Sequence, residues 1–394
     1  MAEKWYKNPN FKLLILAGIF LFAFLVPFSN PKVGSAIQEA FLMLAEYAKE
    51  HVLLCLVPAF FIAGAIMVFL NQQSIIKYLG PKANKFLAYS VASVSGAILA
   101  VCSCTVLPIF KGIYKKGAGI GPAVSFLYSG PAINILAIVL TAKVLGPEIG
   151  MARAVGAVVF AFVIGLLMHL IFKKDDEKRL TDEKMFQSFE DDRRPLWKNV
   201  IYLLSMVGIL VFINWAPSKG QLAVWDFIFN AKYIITGVFA VILIISLILW
   251  FKKDELKNWV VASRDFAIQI LPLLFGGVMV AGFLLGRPGH AALIPEEWIA
   301  RLVGDNSLLS NFIASISGAL MYFATLTEVP IMQGLIGAGM AKGPALALLL
   351  AGPSLSLPSI LVIGGELGLK KTLVYVGLVV TMSTLAGMGY GMIF

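Results

Sequence analysis

Charge is what this chain has least of. Only 14% of its 394 residues are Asp, Glu, Lys or Arg, against roughly 25% in a soluble globular domain. With 59% of residues hydrophobic, no soluble fold of this length could hide the apolar surface, so lipid must be the solvent for much of it. Cysteine is scarce: Cys55, Cys102 and Cys104 all lie in apolar stretches, with no sign of an extracellular disulfide framework. His51, His169 and His290 are scattered and read as interfacial, and no His-Glu-x-x-His spacing occurs. No Gly-x-x-x-x-Gly-Lys-Ser/Thr loop is present either, so ATP is not used by that route, and no cofactor is expected. The net charge of +10 is explained by Lys and Arg gathering in cytoplasmic loops. A nucleic-acid partner is not expected, because no basic-aromatic surface module is visible.

What the chain has in abundance is apolar length. Windows of about 20 apolar residues fall near 11–28, 51–70, 86–110, 120–142, 149–172, 198–215, 229–251, 264–286, 308–335, 341–364 and 369–391. The first follows a basic start and lacks a small-x-small cleavage site, so it reads as an uncleaved span. Residues 36–50 are too polar to span and read as an interfacial amphipathic helix. Residues 173–197 are rich in charge of both signs without an apolar face, and read as a solvated cytoplasmic linker. The expected fold is an all-α integral membrane protein, a polytopic helical bundle of about 9–11 spans with an internal repeat and broken helices. Its parts are an N-terminal span and interfacial helix (1–50), a first repeat (51–172), the linker (173–197), additional spans (198–263) and a second repeat (264–394).

The repeat is visible directly. Residues 95–131 align without a gap on 317–353, with 14 of 37 positions identical, five of them Gly and three Pro. Duplicated cores are characteristic of secondary transporters, whose sites lie where the repeats meet. The basic N-terminus and the basic loop at Lys77, Lys82 and Lys85 conflict with a model in which every window crosses once. At least one re-entrant element, and an inverted relation of the copies, is therefore expected.

Each copy carries two helix breakers in series. The first has Thr105-Val-Leu-Pro108 and then Ser129-Gly130-Pro131-Ala-Ile-Asn134; the second has Thr327-Glu328-Val-Pro330 and then Ala351-Gly352-Pro353-Ser354-Leu-Ser356. Proline removes a helical hydrogen bond and clashes with the preceding turn. Broken backbone at membrane depth is tolerated only where it lines a cavity or is buried in protein. Paired breaks point to discontinuous helices at a substrate site; simple packing kinks are the plainer alternative. Asn134, Ser354 and Ser356 can satisfy the freed backbone or contact a polar ligand.

Cys102-Ser103-Cys104 precedes the first break. In an unwound segment both thiols face one side and suit a soft metal or metalloid ion; otherwise they are small buried apolar residues. Glu328 stands where the first copy has Val106. A carboxylate at membrane depth is a functional hypothesis by default, for proton coupling, cation binding or pairing with a Lys; a neutral helix-capping acid is the alternative. Lys111, Lys115 and Lys116 read mainly as a cytoplasmic anchor.

The run Cys-Ser-Cys-Thr-Val-Leu-Pro-Ile-Phe-Lys-Gly, the following Gly-x-Pro, and Ser-Gly-Pro-Ala-Ile-Asn resemble the ArsP-type permease family over roughly 50–172 and 265–391. The resemblance implies a prokaryotic inner-membrane efflux permease that acts on trivalent organoarsenicals or a similar thiophilic solute, with Cys102 and Cys104 contacting it. Two other readings stay open: a membrane thiol oxidoreductase cycling Cys102 and Cys104, and a passive channel or permease for another small solute.

Overall fold

In the computed structural model the described residues are 30–69, 83–99, 103–181, 196–215, 223–287, 302–321, 328–337 and 339–394, with a few isolated positions outside these ranges. The window at 11–28, and with it the expected first span, lies almost entirely outside them. The described chain is 88% helical and has no strands.

Apolar windows become helices because lipid cannot hydrogen-bond the backbone. Helix α1 (Pro31–Tyr47) starts where the Asn30 side chain accepts from Lys32 N–H at 3.0 Å. It runs through a π-helical segment (Ala48–Leu56) into α2 (Val57–Phe69). Residues 36–50 are thus part of a continuous helix, and α1 buries Val33, Ala36, Ala40, Met43 and Tyr47. The partner is α10 (Lys253–Leu285), which lies antiparallel to both helices. Arg287, just past its end, holds Glu39; Tyr47 packs edge-on to Phe275; Trp259 near its start donates to the Phe61 carbonyl at 2.7 Å.

Five helices follow in the first segment: α3 (Lys85–Leu99), α4 (Ser103–Lys115), α5 (Ile120–Ala132), α6 (Ile135–Val144) and α7 (Pro147–Thr181). After α8 (Leu196–Ile213), α9 (Ala223–Trp250) and α10 come five more: α11 (Leu308–Leu320), α12 (Glu328–Gly337), α13 (Lys342–Ala351), α14 (Leu357–Leu367) and α15 (Leu369–Ile393). Each of four long windows, 86–110, 120–142, 308–335 and 341–364, is divided between two of these short helices. Among the described residues four single helices are long and apolar enough to cross a membrane: those over Pro147–Asp176, Trp225–Trp250, Lys253–Leu284 and Leu369–Ile393. The pair α5–α6, bent by 47° at the break, is either one broken span, which would make five, or a re-entrant loop. Together with the shorter apolar helices they form an all-α multi-pass membrane bundle.

The two five-helix segments are laid out alike. Starts of α5, α6 and α7 fall 222 residues before those of α13, α14 and α15, the separation of Tyr128 and Leu350. Helix α5 packs chiefly on α3 and α7, and α13 packs chiefly on α11 and α15. Both bundles hinge on a bare backbone crossing. A Cβ on Gly165 would lie 2.9 Å from the Gly121 carbonyl oxygen, and one on Gly387 would lie 2.6 Å from that of Gly343.

Helices α7 and α15 run antiparallel. Lys371, at the start of α15, reaches Asp175 near the end of α7 at 3.7 Å. At the opposite pole Lys342 reaches Glu148 at 3.8 Å, and Lys342 opens α13 beside Gly387 in the last turns of α15. The α8–α9 hairpin is peripheral: among the described residues the main partner of α9 is α8, with Trp250 edge-on to Trp197 at 5.3 Å. Only 6% of its most apolar window is buried, so this apolar face is turned outward, toward lipid.

Side chains forced into the glycine crossings should be expensive. Gly165→Leu or Gly387→Leu overpacks a backbone contact and should cost at least ~1–3 kcal/mol, read as a lowered midpoint for thermal unfolding in detergent. Gly237, with open space around its Cα, should instead gain about 0.5–1 kcal/mol on change to Ala.

Candidate functional site

The breaks are built by side chains that stand in for missing helical partners. Helix α5 continues through Pro131 to Ala132, and α4 continues through Pro108, so the chain stops after these prolines rather than at them. At the stop after α5 the Asn134 side chain accepts from Ala137 N–H at 3.2 Å and caps α6. In the second segment the Ser356 hydroxyl accepts from Ser359 N–H at 3.3 Å and caps α14. These two caps occupy corresponding positions, 222 residues apart. Pro330 falls in the first turn of α12, where a missing N–H costs nothing.

The two Gly-Pro elements face each other through buried polar contacts. Tyr128 donates its hydroxyl to the Leu350 carbonyl at 2.9 Å, and the Ser354 hydroxyl donates to the Tyr128 carbonyl at 3.3 Å. Tyr128 and Leu350 are 222 residues apart, the same separation as the starts of the matching helices. Gly130, Pro131, Gly352 and Pro353 are buried around this contact.

Next to it lies a charge pair deep in the bundle. Arg153 of α7 is fully buried and Glu328 is 1% exposed; one guanidinium nitrogen donates to the Glu328 carboxylate. The other terminal nitrogen donates to Thr141 Oγ1 of α6 at 2.8 Å. Thr141 in turn donates to the Ala137 carbonyl at 2.7 Å, one turn from the Asn134 cap. Glu328 stands in the first turn of α12, where the helix dipole favours a negative charge. A charge pair this deep is tolerated only with such geometry and extra hydrogen bonds.

A second pair joins the segments elsewhere. Lys111 of α4 contacts Glu366 of α14. Lys111 is therefore not the solvated anchor expected from its basic neighbours: it is 4% exposed, whereas Lys115 on the next turn is exposed. Its ammonium also lies 5.9 Å from the Phe266 ring centroid. His169 is likewise buried rather than interfacial.

The expected site residues distribute unevenly. Thr105 and Pro108 are buried in α4, and Ser103 and Cys104 form its first turn. Cys102 and Thr327 lie outside the described residues. Ser354 and Glu328 contact the other segment directly, Gly130, Pro131, Gly352 and Pro353 are buried beside that contact, and Asn134 and Ser356 cap the helices that follow. Sequence reasoning missed Arg153, Thr141, Tyr128 and Glu366. Arg153 carried a legible signal, an arginine inside an apolar window; Thr141 and Tyr128 carried none. Among the described residues no group of three or more His, Cys, Asp or Glu side chains could hold a metal ion.

The fold is that of a multi-pass integral membrane protein whose helices break at a buried polar contact, and its family makes it a membrane permease. The chain belongs to the ArsP_1 family of predicted permeases, whose model matches residues 37–392. It is 45% identical to UPF0718 protein MJ0584 of Methanocaldococcus jannaschii, over 89% of this chain and 94% of that one. UPF0718 protein YraQ of Escherichia coli is 21% identical over 91% of this chain and 88% of its own length. No solved structure matches.

Removing one member of the Arg153–Glu328 pair strands the other in the core. Arg153→Gln should destabilise the protein by about 3–5 kcal/mol, measured by unfolding in detergent. Replacing both residues with apolar ones, Arg153→Met with Glu328→Leu, should recover most of that loss.

Proposed function

We propose that this permease is a secondary transporter of the inner membrane that exports a small thiophilic solute, with trivalent organoarsenicals the leading class. The observation that carries the transporter reading is the antiparallel placement of α7 and α15, corresponding helices of the two segments. Corresponding spans running in opposite directions are the signature of an inverted repeat, in which substrate sites form between discontinuous helices. The linker at 173–197 then lies on the cytoplasmic side, in keeping with its eight Lys and Arg counted through Lys198.

Support for a thiophilic cargo comes from the Cys102-Ser103-Cys104 run and from the resemblance that its residues carry. Trivalent arsenic is a soft centre that binds thiolates in preference to oxygen ligands. Glu328 is the proposed coupling group. Its carboxylate is held by Arg153, so it gains a proton only when that pair opens; proton uptake and rearrangement of the contact between segments become one event. Asn134, Ser354 and Ser356 position the broken helices and leave the thiols to select the cargo.

Full-length protein in proteoliposomes should move methylarsenite, and a pH gradient should change the rate. Cys102→Ser with Cys104→Ser should abolish this flux; an unchanged rate would remove the thiol-ligand idea. Glu328→Gln should erase the response of the flux to the pH gradient, and a response equal to that of the native protein would remove Glu328 as the coupling group.

A further inference from the structure

We infer that the two buried ion pairs, Arg153–Glu328 and Lys111–Glu366, are the two gates of the permeation path, one toward each face of the membrane. The inference rests on the transporter reading and adds to it the residues that open and close the path.

Both pairs take the cation from the first segment and the anion from the second. Neither therefore stabilises a segment by itself; each is a fastening between the two. Their levels differ. Arg153 lies six residues into α7 from Pro147, at the pole where Lys342 meets Glu148. Lys111 lies one turn before the end of α4, and that end is gripped by the far end of α7, where Arg179 donates to the Tyr114 and Ala118 carbonyls at 2.8 and 2.5 Å. Glu366 likewise lies just before α15, whose Lys371 meets Asp175. From Arg153 to the kink of α7 at Phe172 the straight helix rises about 28 Å at ~1.5 Å per residue, and the Lys111–Glu366 pair lies toward that far end. The buried Tyr128–Leu350 contact, with Ser354, also joins the segments.

The places they fasten differ. Lys111–Glu366 joins α4 to α14, whereas Arg153–Glu328 joins α7 to α12 and reaches α6 only through Thr141. Positions corresponding to Lys111 and Glu366 are Gln333 and Val144, and those corresponding to Arg153 and Glu328 are Tyr375 and Val106. The two locks therefore share no residue and no helix, so either can part while the other stays shut. Parting a lock leaves both charges without a partner unless water reaches them. Opening a gate and hydrating that half of the path are therefore the same event. Both pairs are made in this structure.

The test uses full-length protein with Cys55, Cys102 and Cys104 changed to Ser, and a single reporter thiol introduced by Ser354→Cys. Sealed vesicles of both orientations are treated with a membrane-impermeant maleimide. The reporter should be nearly inert in this parent. Glu328→Gln should raise labelling about ten-fold from one face only, and Glu366→Gln by about as much from the opposite face only. The exchange Lys111→Glu with Glu366→Lys should restore the closed, inert reporter. Glu328→Asp and Glu366→Asp, which keep the charge and shorten its reach, should give smaller increases with the same sidedness and serve where a Gln variant does not fold. Labelling from one shared face, or from neither, overturns the assignment. Methylarsenite flux is measured separately in the protein with its native cysteines. Sided labelling without flux would sink the cargo while leaving the gates, and flux without sided labelling would do the reverse.

Discussion

A helix that stops inside a membrane leaves backbone groups that lipid cannot satisfy, and this fold is arranged around such stops. Asn134 and Ser356 stand at corresponding stops and take the first amide hydrogen bond of the helix that follows. Without those caps α6 and α14 would begin with bare N–H groups in the core. With them, the chain can end one helix, turn and begin another at depth. The turns then lie where α5 and α13 approach through Tyr128, Leu350 and Ser354. The contact between the segments is thus a consequence of solving the backbone problem twice in one place.

Charge is handled by the same economy. Arg153 and Glu328 are supported at depth by Thr141, which accepts from the guanidinium, and by the first turn of α12, whose dipole favours the carboxylate, although the buried Nε of Arg153 is left without a partner. Thr141 is positioned by the carbonyl of Ala137, whose amide is the one capped by Asn134. Cap, threonine, guanidinium and carboxylate form one connected network from a helix break to a charge pair. Such networks are stable when every member is satisfied and costly when one is lost.

How much of this the sequence discloses varies with the physical cause. Apolar windows are legible because lipid demands them, and the ungapped match of 95–131 to 317–353 already placed the breakers in register. Glu328 stood out as a carboxylate in an apolar run. Its partner was harder, because pairing is set by how α7 and α12 meet, and no local pattern in the chain encodes that. The Lys111 reading failed for the same reason: a lysine in a cluster of three looks solvated until α14 brings Glu366 against it. The junction at residues 48–56 hid a continuous helix, since polar residues there mark the end of a span in sequence and a π-helical stretch in the fold. Prolines at 108 and 131 announced breaks, and the helices run past both before stopping.

The division of charge between the segments also dictates an order of events at the ribosome. Arg153 and Lys111 are synthesised first, and 175 residues separate Arg153 from the carboxylate that neutralises it. During that interval the nascent first segment holds two cations whose final surroundings are apolar and whose counter-ions do not yet exist. Full burial of the two cations as charge pairs therefore waits for α12 and α14.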